Sequence, residues 1–239
     1  MPAKVLDLWN NCKINRCRDI AKMSLEQARF NMIEQQIRPW DVLDATVLDL
    51  LKQVPRENFV TAQYAGLAFA DLEIPIVHNK SMLSPKLEAR IVQALELKKT
   101  DKVLEVGTGS GYMTALLAKL AGEVVSVDLI GEFTNAARQK LQQHGISNVT
   151  LATGDAADGW ADNAPYDVIV LTGSVPLLAE SFRHQLKPGG RLFAVVGEAP
   201  VMEATLVSSP SPNVFRTEKL FELSVPALVN ALQPQRFSF

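Results

Sequence analysis

Two cysteines, three histidines and an aromatic content of 7% in 239 residues deprive several kinds of chemistry of their raw material. Cys12 and Cys17 alone make neither a disulfide framework nor a four-ligand zinc site, so incidental thiols and no bound metal are expected. His78, His144 and His184 are scattered, which leaves no histidine cluster for acid–base work. No run of about 18 apolar residues is present, so no membrane span is expected. Neither charge dominates: 24 Lys and Arg face 26 Asp and Glu, for a formal net charge of -2. Phosphate binding rests mainly on Lys and Arg, so nucleic acid is not expected as an obligate partner. Lys4, Lys13, Arg16, Arg18 and Lys22 make residues 1–22 basic, but no apolar stretch follows them. A secretory signal is therefore not expected, and a cytoplasmic location is.

What remains is ordinary globular usage, 47% hydrophobic and 21% charged, in a chain long enough to bury a large core. Residues 1–22 read as a tail, with Met23-Ser24 a plausible true start. Ser24 and Gln27 form a capping box that opens a helix over residues 24–37, stopped by Pro39. Asp41 is placed to cap a second helix whose apolar face holds Val42, Leu43, Val47, Leu48, Leu50 and Leu51. Residues 56–82 read as irregular. Ser84-Pro85 opens a third helix, with Leu87, Ile91, Val92 and Leu95 as its buried stripe.

After residue 100 short apolar strands alternate with helices. Strands are expected at 102–106, 123–128, 149–153, 166–172 and 191–196, and helices at 111–120, 133–144 and 176–185. A turn at 187–190 and a closing antiparallel pair at 202–208 and 215–223 complete the chain. Alternation of this kind means parallel βαβ units with right-handed crossovers. The fold class expected is α/β: a mostly parallel, doubly wound sheet with closing antiparallel strands and an N-terminal helical extension. Residues 23–99 form the extension and 100–239 the ligand-binding unit.

The informative segment is Val103-Leu104-Glu105-Val106-Gly107-Thr108-Gly109-Ser110-Gly111-Tyr112, three glycines where a strand turns into a helix. Glycine there lets the backbone turn sharply and a ligand approach closely. The spacing is G-x-G-x-G, and Tyr112 stands where a dinucleotide fingerprint has its third glycine. That disfavours a nicotinamide oxidoreductase and suits a ligand without a pyrophosphate, whose amino-acid end lies over the loop. Glu105 is placed to attract that ligand's ammonium group. Asp128, at the end of the second strand, is placed to accept from both ribose hydroxyls. Gly154-Asp155-Ala156 follows the third strand, with Asp155 a candidate acceptor for an adenine amino group.

Taken together, residues 103–112, Asp128, Gly154-Asp155-Ala156, residues 166–172 (Thr172 included) and residues 187–192 resemble class I S-adenosylmethionine-dependent methyltransferases, which have a Rossmann-like fold. A narrower resemblance lies in residues 31–39 (NMIEQQIRP), 54–60 (VPRENFV), 75–85 (PIVHNKSMLSP) and 164–176 (APYDVIVLTGSVP). These look like protein-L-isoaspartate O-methyltransferases. The resemblance implies S-adenosylmethionine as cofactor, S-adenosylhomocysteine as product and a repair activity. The α-carboxylate of an isoaspartyl residue in a protein or peptide is methylated, and the ester then collapses to a succinimide. The cofactor residues implied are Glu105, Gly107, Thr108, Gly109, Gly111, Tyr112, Asp128, Gly154, Asp155, Ala156 and Thr172.

The acceptor segment departs from the family's G-Q-T-I-S-Q-P. Here it runs Asn79-Lys80-Ser81-Met82-Leu83-Ser84-Pro85. Ser81 keeps a hydroxyl where the family has threonine, Leu83 replaces the serine near the transferred methyl, and Lys80 replaces glutamine. Ser81, the divergent Leu83 and His78 are the candidate residues on the acceptor side. The acceptor carboxylate is ionised at neutral pH and needs no general base. Two alternatives stay open: the same fold acting on a small-molecule acceptor, and a cofactor-binding protein with little transfer activity.

Overall fold

A computed structural model describes residues 23–235. The tail expected at 1–22 lies outside them. Residues 23–32 form helix α1, so the helix is already under way at Ser24, which is not its N-cap. The helical path continues as a wider π turn, Ile33–Ile37, and a 3-10 turn, Arg38–Trp40, with Pro39 in its first turn. Asp41 then takes a left-handed conformation and ends that turn. The cap of the next helix is Asp44 instead, whose carboxylate accepts the backbone N–H groups of Thr46 and Val47. Helix α2 (Ala45–Gln53) buries Val47, Leu48, Leu50 and Leu51, while Leu43 falls before it and stays exposed.

Residues read as irregular contain a small hairpin. Strands β1 (Ile74–Ile76) and β2 (Lys80–Met82) pair antiparallel, Ile74 opposite Met82 and Ile76 opposite Lys80. Helix α3 (Pro85–Leu95) starts at Ser84 as expected, though the serine hydroxyl makes no capping bond. Its stripe of Leu87, Ile91, Val92 and Leu95 is buried, and so is Glu88.

The main sheet contains β3 (Lys102–Val106), β4 (Glu123–Asp128), β5 (Val149–Thr153), β6 (Tyr166–Val175), β7 (Leu186–Glu198), β8 (Val201–Ser211) and β9 (Val214–Leu223). Their order is β5-β4-β3-β6-β7-β8-β9. The first five are parallel, and β8 and β9 close the sheet antiparallel. Helices α4 (Tyr112–Leu120), α5 (Gly131–Gln143) and α6 (Glu180–His184) connect them. The turn expected at 187–190 lies within β7, where the register slips between Tyr166↔Leu186 and Val168↔Arg191. Pro188 and the two glycines bulge out of the ladder there rather than ending the strand. The helix expected at 176–185 shrinks to α6, because the chain after β6 first runs as a bend and irregular backbone.

Successive strand residues face opposite sides. Val103, Val124, Val168, Val170 and Phe193 pack under α2 to α5, in a cluster that extends from Met32 to Val225. Leu104, Val125, Val127, Ile169 and Leu192 face the other way, towards Phe182 of α6. The order of strands reverses between β3 and β6, and ligands of open α/β sheets bind beyond the strand ends at such a point.

Candidate active site

A cavity open to solvent lies at that reversal. Gly107, Thr108, Gly109 and Ser110 line it, followed by Asp128 at the end of β4, Gly154-Asp155-Ala156 after β5 and Thr172 on β6. Lys80, Ser81, Met82 and Leu83 border it from the hairpin side. The structure thus brings together residues expected to serve the cofactor and residues expected to serve the acceptor.

The loop is shaped for close approach. At Gly107, with φ +101°, a Cβ would fall 2.2 Å from the Thr172 hydroxyl oxygen. That hydroxyl donates to the carbonyls of Val106 and Gly107 and so stitches β6 to the loop. Asp128 accepts the N–H of Gly109 at 2.9 Å and that of Ile130 at 3.0 Å. Asp155 accepts the N–H of Ala157 at 3.0 Å and the side-chain amide of Asn230 at 2.7 Å.

Four expected site residues do not border the cavity. Glu105 is fully buried, because its place in β3 puts it on the same side as Val103, under α4. Its Oε2 accepts the hydroxyls of Thr114 and Ser126, and Oε1 has no partner. Burial pushes its carboxyl up to about 8, with the two hydroxyls pulling weakly the other way. Ser126 gives its hydrogen to Glu105, so Thr108 donates to Ser126 at 2.7 Å. Glu105 therefore acts on the loop through Ser126 and Thr108 rather than facing a ligand ammonium.

Gly111 keeps its place for packing: a Cβ there would lie 2.9 Å from that of Ala137 on α5. Tyr112 is buried at the start of α4, edge-on to Phe59 and beside the Arg56 guanidinium. Burial raises its phenol, whose oxygen has no hydrogen-bond partner. His78 sits at the hairpin tip, 45% exposed, where its Nε2 lies 2.8 Å from Glu132 and its ring meets Phe133 edge-on. It fastens the hairpin to the start of α5.

On the acceptor side, Ser81 donates its hydroxyl hydrogen to Glu73 at 2.6 Å. Leu83 is 8% exposed, and its carbonyl accepts from Arg56 at 2.6 Å.

A profile of the family described as Protein-L-isoaspartate(D-aspartate) O-methyltransferase matches residues 27–220. A protein-L-isoaspartate O-methyltransferase of Koribacter versatilis is 37% identical over 200 residues, 84% of this chain and 89% of the relative. One from Anaeromyxobacter dehalogenans is 43% identical over 159 residues, 66% of this chain and 76% of the relative. The chain belongs to this family. A solved protein-L-isoaspartate O-methyltransferase superposes with a TM-score of 0.72 at 24% identity, over 85% of this chain and 65% of that one. A Plasmodium falciparum protein solved in complex with S-adenosyl-L-homocysteine superposes with a TM-score of 0.70 at 18% identity, over 83% of this chain and 96% of that one. Both share the fold.

One wall of this family member's cavity and one residue that supports the cavity were not among the expected residues. Pro226, Ala227, Leu228 and Val229 form one wall of the cavity. They are held by Ser174, whose N–H donates to Pro226, whose carbonyl accepts from Leu228 and whose hydroxyl donates to Val225. No local motif announces that wall, since tertiary bonds create it. Arg56 is the other omission, a guanidinium only 1% exposed. It binds Glu88 at 2.9 Å and the carbonyls of Ala68 and Leu83 at 2.6 Å each. Its signal was present in residues 54–60: a charged pair, Arg56-Glu57, flanked by core residues Val54 and Phe59. Among the described residues no helix is long and apolar enough to cross a membrane, and no cluster of potential metal ligands occurs.

Proposed function

We propose that this chain is an S-adenosylmethionine-dependent O-methyltransferase of the protein-L-isoaspartate type. Its acceptor is a carboxylate of isoaspartyl residues in damaged proteins or peptides, in a cytoplasmic setting. Residues 100–239 supply the cofactor half and residues 23–99 the acceptor segment. The observation that carries the reading is that one cavity joins Gly107, Gly109, Asp128 and Asp155 to Lys80, Ser81 and Leu83.

The residues present fit the cofactor. The backbone from Gly107 to Ser110 borders the cavity, with glycine at 107 letting the loop pack against Thr172 and glycine at 109 keeping side-chain bulk off it. Each Asp128 oxygen accepts one backbone N–H and keeps a lone pair for a ribose hydroxyl. Asp155, with Ala156, Ala157, Leu129, Ile130 and Phe133, offers an acceptor beside an apolar slot suited to an adenine ring. When bound, S-adenosylmethionine supplies a methyl group on a sulfonium. The chain needs no proton acceptor, because a carboxylate is ionised at neutral pH. Its residues orient the acceptor oxygen and keep water out, the latter through Met82, Leu83, Met113 and Leu228.

Leu83 favours a second reading, a small-molecule acceptor in the same cavity, since it offers no hydroxyl where the family has one. A third, cofactor binding with little transfer, shares that observation. Labelled methyl transfer to an isoaspartyl peptide, with the aspartyl peptide of the same sequence as control, tests the first. Label on the isoaspartyl peptide alone is expected. Cofactor binding without peptide labelling would overturn it in favour of the alternatives, and NAD bound more tightly than S-adenosylhomocysteine would overturn all three.

A further inference from the structure

We infer that Lys80 is the residue that recognises the acceptor carboxylate, in place of the hydroxyl that Leu83 lacks; this rests on the isoaspartyl reading above. Lys80 pairs with Ile76 and Met82 with Ile74, so these four side chains share one face of the hairpin. Ile76, Lys80 and Met82 border the cavity. Ser81 alternates to the opposite face with Pro75 and spends its hydroxyl hydrogen on Glu73. The oxygen then has only lone pairs to offer, which repel an ionised carboxylate.

The remaining hydroxyls of the cavity are no better placed. Thr172 donates to Val106 and Gly107, and Thr108 donates to Ser126. Ser110 keeps its hydrogen but stands on the glycine loop, accepting from the N–H of Tyr112. Lys80 is the one cationic side chain among the described lining residues, and its ammonium has no hydrogen-bond or ion-pair partner among the described residues. The carboxylates of the lining are already engaged, Glu88 by Arg56, Asp128 by two backbone amides and Asp155 by the Ala157 N–H and the Asn230 amide, and Glu73 is engaged by Ser81. The ammonium of a half-buried lysine, with three free donors and Ile76, Met82 and Leu83 in the same lining, suits a carboxylate presented by a peptide.

The test uses the full chain with an isoaspartyl peptide and S-adenosylmethionine, in wild type, Lys80→Gln and Lys80→Arg. S-adenosylhomocysteine affinity is measured alongside by calorimetry. Lys80→Gln restores the family's amide and should raise the peptide KM roughly tenfold, the lower end for one charge-assisted hydrogen bond. Turnover at saturation and S-adenosylhomocysteine affinity should change little, and Lys80→Arg should stay close to wild type. Salt should raise the wild-type KM and leave that of Lys80→Gln nearly flat. An unchanged KM in Lys80→Gln, with an active wild type, would overturn the role of Lys80 and leave the proposed function standing. A matching loss of S-adenosylhomocysteine affinity would overturn it by assigning Lys80 to the cofactor. A wild type that binds S-adenosylhomocysteine but neither binds nor methylates the peptide would overturn the isoaspartyl reading, and Lys80's role with it.

Discussion

Asp128 accepts the backbone N–H of Gly109 at 2.9 Å, so the end of β4 holds the glycine loop that follows β3. One side chain thus shapes the loop and borders the cavity beside it. Asp128→Ala removes the loop tie and the acceptor proposed for ribose. Charge-assisted hydrogen bonds contribute ~1.5–3 kcal/mol each and water replaces part of the two that are lost, so S-adenosylhomocysteine affinity should fall by at least the one-bond amount, roughly 10- to 150-fold. Asp128→Asn should fall between, because its amide nitrogen meets a backbone donor where an acceptor is needed. Calorimetry checks affinity and circular dichroism checks that the fold survives. An unchanged dissociation constant in the alanine variant would remove the ribose assignment.

The buried pair Arg56–Glu88 makes a different kind of prediction. Burial pushes the Glu88 carboxyl up to about 7 against the pull of Arg56, which shows how much this environment disfavours charge without a partner. Arg56→Met strands that carboxyl and leaves the carbonyls of Ala68 and Leu83 unbonded. Breaking one side of a buried pair costs about 3–5 kcal/mol. Replacing both partners, as Arg56→Met with Glu88→Leu, should recover much of that loss. Urea denaturation of the two variants is the measurement. Equal stability of single and double variants would show that the stranded carboxyl is not the source of the loss.

Glu105 predicts how stability depends on pH. Its folded pKa, about 8, lies above the ordinary carboxylate value of 4.5, so the native state holds a proton that the unfolded chain releases first. Its contribution is fully present below about pH 4.5 and declines as pH rises through about 8. Glu105→Gln keeps the shape and cannot ionise. Relative to wild type it should gain stability between pH 5 and pH 8, by on the order of 1–3 kcal/mol. Melting temperatures of both proteins across that range decide the matter. Parallel curves would mean that Glu105 does not change protonation on unfolding.

How much of this was legible in the chain depends on where the information sits. Strands β3, β4 and β5 begin and end where expected, because each is a short apolar run with clear punctuation. The glycine loop and Asp128 were legible for the same reason. The orientation of Glu105 was misread as facing the ligand ammonium, although strand parity places it with Val103 on the buried side. The β1–β2 hairpin was not legible, because three-residue strands, one containing Pro75, carry too little pattern. Lys187-Pro188-Gly189-Gly190 has the chemistry of a turn, yet ladder pairs on both sides carry β7 through it as a bulge. The wall from Pro226 to Val229 exists only through its bonds to Ser174, which no local sequence encodes.

Leu83 sets the last prediction. It borders the cavity while belonging to the apolar core, and its backbone carbonyl is held by Arg56 whatever the side chain. Leu83→Ser therefore places a hydroxyl near the acceptor without moving the segment. If that hydroxyl bonds the carboxylate mainly in the transition state, one bond of ~1.5–3 kcal/mol corresponds to about a 10- to 150-fold gain in rate. The substitution has a structural cost, since removing a buried leucine side chain destabilises by about 2–5 kcal/mol when the space is not refilled. Activity must therefore be compared below the variant's melting temperature. The expected outcome is a higher kcat/KM on an isoaspartyl peptide, an unchanged S-adenosylhomocysteine affinity and a lower melting temperature. Combining Leu83→Ser with Lys80→Gln separates the two donors: if each serves the same carboxylate, the serine should offset part of the loss caused by the glutamine. A Leu83→Ser protein that stays folded, binds S-adenosylhomocysteine normally and gains no isoaspartyl activity would show that this position does not limit the reaction.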